Sequence, residues 1–364
     1  SLGLGDGAHG LGPKRMIDPK NLPEQRVPRN APALFNLGAH EFTTMFHDGR
    51  LEADPTRPSG IRTPLGTEMV QGFASVLSAQ SMFPVLSPDE MAGHYTESDV
   101  ARAVRQGFLT GEDGAWSLIS ARVADIKEYQ SAFEQINGPG HSVTFTDISD
   151  VIAEFIAFEW RADDSPFDQY LRTGEPLPKA AHSGMSLFYG KAQCSTCHAG
   201  QFQTDHDFHA IALPQVGPGK SARFETHARD EGRLRVTGNP ADAYKFRTPS
   251  LRNIAQTAPY GHNGAYATLE AMIRHHLDPV ASLKAYNVAQ LVLPDLPNSQ
   301  DFRATHDPDE QAAIAAANEL SPSNLSETEI IQIVAFLNAL SDTASLAGKL
   351  GVPQTVPSGL PVDQ

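Results

Sequence analysis

Residues 191–200, KAQCSTCHAG, hold the only two cysteines of this 364-residue chain, Cys194 and Cys197, and His198 follows the second directly. Two thiols three positions apart beside an imidazole admit four chemistries. A disulfide between them would close too small a loop to stabilise much. A thioredoxin-like redox pair belongs beside a βαβ pattern, and none is evident here. A zinc site could recruit His206 and His209. Its second half would then lie eight residues on with H-x2-H spacing, where the finger pattern has about twelve to fifteen residues and a gap of about three to five. The fourth reading is a covalent c-type haem, with thioethers from both cysteines and the adjacent imidazole turned onto the iron. It is the one that uses all three residues. Upstream, Gly184, Leu187 and Phe188 fall where a short helix would bury one face, and Gly200 lets the chain turn away close to a ring edge. Bacterial thioether attachment takes place outside the cytoplasm, so the expected location is periplasmic.

An electron-carrying c-type iron takes a second protein ligand, whose identity sets its potential. In ATLEAMIRHHLDP (267–279), Thr268 is placed to cap a helix and Pro279 lies just past its expected end. Leu269, Met272, Ile273 and His276 then share one helical side, while His275 points about 100° away. His276 is therefore predicted to face the core and the haem, against the plainer reading of a core histidine satisfied by a backbone carbonyl. Met272 and His262 are the alternatives.

The composition is that of a globular chain, with 40% hydrophobic and 20% charged residues, and 27 prolines and 29 glycines predict long irregular connections between helices. A net charge of −15 argues against nucleic acid or anionic lipid as a partner and for a basic protein. No stretch approaches the ~20 apolar residues of a membrane span. The chain begins with Ser1 rather than Met, so an upstream segment is expected to have been removed.

Together with VPRNAPALFN (27–36), FHDGR (46–50), TEM (67–69), SPFDQYL (165–171), LFYGKAQCSTCHAG (187–200), FRTPSLRNIAQTAPYGHNG (246–264) and TLEAMIRHH (268–276), the sequence resembles the bacterial di-haem cytochrome c peroxidases, including the MauG branch that oxidises tryptophans in a partner protein. The resemblance implies a mainly α fold of two cytochrome c-like domains with long irregular loops, one haem in each and calcium between them. It implies an enzyme that reduces hydrogen peroxide, or uses it to oxidise a partner protein, and takes electrons from a small donor such as a cytochrome c or cupredoxin. By position, Asn30 resembles a side-chain calcium ligand, Thr257 and Pro259 supply backbone carbonyls, and Glu68 stands where the family keeps the carboxylate that handles the peroxide proton. His276 occupies the sixth-ligand position of the C-terminal haem, which is methionine or tyrosine in relatives. An imidazole there lowers the expected potential relative to a His/Met site.

Other departures concern the first haem. No earlier CXXCH precedes SLGLGDG, so the sequence is expected to start just beyond that motif, with the second haem upstream. Leu4 stands where activation-dependent peroxidases place a distal histidine. His47 replaces a relay tryptophan, and imidazole carries a hole less readily than indole. Trp116 and Trp160 are expected in cores. A mono-haem electron carrier without peroxidase activity is the rival reading.

Along the chain, an N-terminal domain (1–164) with helices near 69–80, 98–109, 119–135 and 148–160 is expected, the last carrying Ile152, Phe155 and Ile156 on one face. RADDSPFDQYLRTGEPLP (161–178) reads as the joint, 165–350 as the haem-bearing domain and 351–364 as an extended tail. Ser326 and Glu329 form a capping box for a last helix with a buried stripe of Ile330, Ile333, Val334 and Leu337.

Overall fold

The computed structural model describes residues 26–66, 72–93, 97–220, 227–291, 293, 296, 299–360 and 362. These residues are mainly helical, with a few very short strands. The chain forms two units. Of the described residues, one comprises 26–35, 46–49 and 162–343, and the other 36–45, 50–161 and those from 344 onward. The division therefore differs from a single cut at 164/165. It falls at 161/162, and the N-terminal segment and the tail are each grouped with the unit that the sequence order did not suggest.

In the second of these units, β1 (Thr44–Met45), β2 (Leu51–Ala53) and β3 (Ile61–Arg62) form an antiparallel sheet in that order, with Thr44 opposite Glu52 and Ala53 opposite Ile61. Strands this short show no readable alternation, and the sequence reading missed them. The helices are α1 (Val76–Gln80), α2 (Asp99–Gln106), α3 (Ala115–Ala124), α4 (Lys127–Asn137) and α5 (Phe145–Glu159). The single helix expected over 119–135 is two, because Ile126 is extended (φ −91°, ψ 108°) and starts α4 afresh. Trp116 is buried and stacks on Phe145 at 5.5 Å, a core role as expected.

Helix α5 corrects the stripe. Ile152 and Phe155 are 41% and 45% exposed, while the buried face is Phe145, Thr146, Ser149 and Ala153. The small residues go inside because the chain comes close there: a Cβ on Gly38 would overlap Ala157.

The haem-motif unit contains α6 (Pro166–Thr173), α7 (Lys179–Tyr189), α8 (Leu234–Thr237), α9 (Leu269–Leu277), α10 (Pro279–Lys284), α11 (Pro308–Ala317) and α12 (Glu327–Asn338). Strands β4 (Phe208–His209) and β5 (Phe246–Arg247) pair antiparallel within the irregular segment; α13 (Thr343–Ala347) begins at the last residue of this unit and otherwise belongs to the other. The expected joint is partly helix α6. Ser165 and Asp168 form a reciprocal capping box with Pro166 at the first turn, signals of a helix start that its charge and prolines disguised.

Phe167, Phe188, Leu251, Ile330, Ile333, Phe336, Leu337 and Leu340 form the main core, in which α7 lies on α12. The predicted capping box at Ser326 and Glu329 is present. Phe336 is fully buried in the α12 stripe, whereas Val334 is only half-buried.

Gly184 sets the approach of α7 to α12, since a Cβ there would land on the Gln332 carbonyl. Gly184→Ala is therefore expected to destabilise by about 2–3 kcal/mol despite alanine's ~1 kcal/mol helix advantage. A thermal melt should show a midpoint lower by roughly 5–10 °C; an unchanged melt would contradict the close packing.

Candidate functional site

Cys194 opens a single 3-10 turn (Cys194–Thr196) just after α7 and packs against the main core, and the His198 amide donates to the Cys194 carbonyl at 2.9 Å. Both cysteines are free thiols. Burial pushes Cys194 up to about 11; burial and then the Asp205 and Glu319 carboxylates raise Cys197. Beyond them Gly200 turns the chain at φ +75°, a conformation that needs no Cβ even though space for one is open.

The His198 Nδ1 faces the Gln203 carbonyl at 3.1 Å. A carbonyl only accepts, so Nδ1 carries the proton and Nε2 keeps its lone pair. His276 repeats the arrangement within α9, where Nδ1 donates to the Met272 carbonyl at 2.8 Å. Burial, and then the neighbouring His276, push His198 down to about 4; burial lowers His276. His198 and His276 are two neutral imidazoles that interact electrostatically, each with its tautomer fixed and its Nε2 lone pair left to a ligand, and the free thiol of Cys197 belongs to the residue just before His198. That donor set fits a covalently attached haem iron.

The burial order on α9 corrects the sequence reading. His275, predicted to point away, is 1% exposed, whereas His276 is half-buried. His275 uses both ring nitrogens, Nδ1 with the Tyr266 hydroxyl at 2.9 Å and Nε2 with the Ile211 carbonyl at 2.7 Å. It is a core histidine held neutral by burial and the neighbouring His276, which push it down to about 3. Tyr266 comes from the segment just before α9 and Ile211 from a loop 64 residues away. The adjacent histidines of RHH were the only signal of this division of labour. Of the alternatives, Met272 packs against a second cluster with Leu213, Tyr260 and Tyr266. His262 lies flat on Phe246 at 3.5 Å between ring centroids.

His47 and His262 sit 6.5 Å apart, edge to face, beside a buried ion-pair cluster that sequence reasoning missed. Arg29 pairs with Asp48 and Asp230, both at 2.7 Å. Burial and the nearby Arg29 and Arg247 hold His47 down to about 4, against the Asn30 carbonyl that its Nε2 meets at 2.9 Å. Asn30 in turn donates its side-chain amide to the Pro259 carbonyl at 2.9 Å, and Gly264 lies against both residues. Two of the three expected calcium ligands are thus together; Thr257 donates its hydroxyl to the Ile254 carbonyl at 3.2 Å. Glu68 and Leu4 lie outside the described residues.

The zinc alternative finds Cys197, Asp205 and His209 with ligand atoms within 4.8 Å of one another, and His206 is not in that group. Three donors are one short of a closed structural zinc site. His209 is already held by Asp205 at 2.9 Å and Glu319 at 3.3 Å.

The fold and the donor set fit a haem protein of the c type. Residues 7–175 match the family model described as di-haem cytochrome c peroxidase, and the chain is a relative of these enzymes. Cytochrome-c peroxidase IdrP1 of Denitromonas iodatirespirans is 29% identical over 280 residues, covering 70% of this chain and 65% of that protein. Cytochrome c peroxidase Ccp of Escherichia coli K12 is 28% identical over 289 residues, covering 70% of this chain and 56% of the relative. The matches thus span between about half and two thirds of these relatives, which are haem oxidoreductases. Among solved structures, a MauG-like protein associated with microbial copper homeostasis superposes with a TM-score of 0.54 at 25% identity, covering 88% of this chain and 78% of that one. No described helix is long and apolar enough to cross a membrane.

Proposed function

We propose that this chain belongs to a periplasmic di-haem-type peroxidase that reduces hydrogen peroxide or uses it to oxidise a partner protein. The observation that carries the reading is the matched pair His198 and His276, each with Nδ1 committed to a backbone carbonyl and Nε2 left to a ligand, together with the free thiols Cys194 and Cys197. Cys194 and Cys197 would hold the haem covalently and His198 and His276 would ligate its iron; the group supplies one-electron transfer when bound. In this reading two cytochrome c-like domains divide near residue 164, and the second haem, upstream, meets peroxide beneath Glu68. Glu68 would take the proton from one peroxide oxygen and return it to the other. His47 would stand between the haems.

Asn30, Thr257 and Pro259 would hold calcium. The amide of Asn30 now gives its nitrogen to the Pro259 carbonyl, and a half-turn about its last torsion would present oxygen beside oxygen, as a hard cation requires.

The acidic chain favours a small basic donor such as a cytochrome c, and turnover with such a donor is expected to fall as salt is raised. Salt-independent rates would remove the electrostatic argument. The deciding experiment is haem quantification per chain on the natural protein, with a peroxide-reduction assay. Two haems and turnover support the proposal; one haem with no turnover leaves the mono-haem electron carrier.

A further inference from the structure

Helix α9 presents two histidines side by side with different duties, and the one that faces away from His198 contacts a tyrosine. The Tyr266 hydroxyl meets His275 Nδ1 at 2.9 Å, and both residues are buried, at 4% and 1% exposure. Since His275 Nε2 is committed as a donor to the Ile211 carbonyl at 2.7 Å, Nδ1 has only its lone pair to offer. The direction of the bond is thereby fixed: the phenol donates and the imidazole accepts. The rings form a continuous series, with His276 to His275 at 6.1 Å, His275 to Tyr266 at 5.1 Å and Tyr266 to the half-buried Tyr286 at 5.6 Å between centroids.

We propose that Tyr266 is a redox-active tyrosine that gives one electron to the haem carried by His198 and His276, with His275 as the acceptor of its proton. The inference rests on the haem reading above. A buried phenol cannot ionise at low cost, and burial raises the pKa of Tyr266. An oxidised phenol is a far stronger acid even than the imidazolium of His275, whose pKa burial lowers, so electron and proton leave together when that acceptor is already hydrogen-bonded. In the step the Tyr266 O–H bond breaks, an N–H bond forms at His275 Nδ1, and the electron reduces the oxidised haem by one equivalent. Hydrogen peroxide is the terminal oxidant and takes two electrons and two protons to give two waters. Tyr266 supplies one of those electrons, and the external donor supplies the other. A further electron from that donor then restores the phenol, with the proton returning from His275. Tyr286, whose hydroxyl donates to the Ala265 carbonyl at 2.5 Å, extends the series outward.

The test uses the haem-loaded chain oxidised by photogenerated tris(bipyridyl)ruthenium(III), which needs no peroxide site, with absorption and freeze-quenched electron paramagnetic resonance as readouts. A neutral tyrosyl radical is expected, formed more slowly in heavy water, and lost in Tyr266→Phe with the haem spectrum unchanged. His275→Gln should form the radical more slowly than the parent, and Tyr286→Phe should retain it. Growth on ring-deuterated tyrosine assigns the signal in the unsubstituted protein, so the result does not hang on one variant. A haem-loaded chain that gives no radical, or the same radical in Tyr266→Phe, overturns the inference alone. A chain whose absorbance shows no covalent haem overturns the haem reading and this inference with it.

Discussion

Asp168→Ala is expected to lower stability by about 3–5 kcal/mol, because it strands a buried guanidinium. The Asp168 carboxylate meets Arg252 Nη1 at 2.6 Å and accepts from the Ser165 hydroxyl at 2.6 Å and amide at 2.9 Å. The side chains of Arg252 and Asp168 are only 5% and 11% exposed. Arg252 also donates to the Gln201 carbonyl from Nε at 3.0 Å and Nη2 at 2.6 Å, which anchors the chain three residues past His198. The pair therefore joins the start of α6 to the loop that leaves the CXXCH motif.

The pH dependence follows from the shift. Burial alone would raise the Asp168 pKa; hydrogen bonds from Ser165 and the Arg252 charge outweigh it and leave the value lowered. A carboxylate with a lowered native pKa contributes stability that is full above its unfolded value, about 3.9, and is lost as pH falls through the native one. Urea denaturation should show the Asp168→Ala deficit at neutral pH, shrinking only below about pH 4. A deficit under about 1 kcal/mol at pH 7 would place the pair among solvent-screened surface bridges and contradict its burial.

His276→Met is expected to keep the covalent haem and raise its reduction potential by an amount on the order of 0.1 V, within the ~0.8 V range that axial ligands command. The free Nε2 of His276 is what makes the prediction specific, since its Nδ1 is already committed to Met272. A thioether stabilises the reduced iron relative to an imidazole. The measurement is a spectroelectrochemical titration of parent and variant, with His275→Gln as the comparison. His275 has both nitrogens occupied, so its loss should leave the potential close to that of the parent. An unchanged potential in His276→Met would remove residue 276 from the iron.

Much of this site was legible because its chemistry is local. CXXCH needs five consecutive residues, and the caps at Thr268 and Ser326 need only a side chain three positions from a backbone amide, whereas the same arrangement at Ser165 was hidden in a charged, proline-rich stretch. Helical spacing also put His276 on the face with Leu269 and Met272, and its Nδ1 partner lies one turn back on the same helix. Periodicity failed where it had to rank faces. The apolar stripe of α5 is real, yet the small residues face inward because Gly38 closes on Ala157.

The sequence by itself thus determined the CXXCH motif, the helix starts at Thr268 and Ser326 and the placing of His276 on the face with Leu269 and Met272, since each depends on contacts within a turn or two. Tertiary structure alone decided that His275 is the buried partner of Tyr266 and Ile211, that Asn30 meets Pro259, and that Asp168 neutralises Arg252. Those contacts join residues 9, 64, 229 and 84 positions apart. No local propensity selects a partner at the longest of these separations; burial does, by making an unpaired donor or charge cost more than the ordering needed to bring its complement to it.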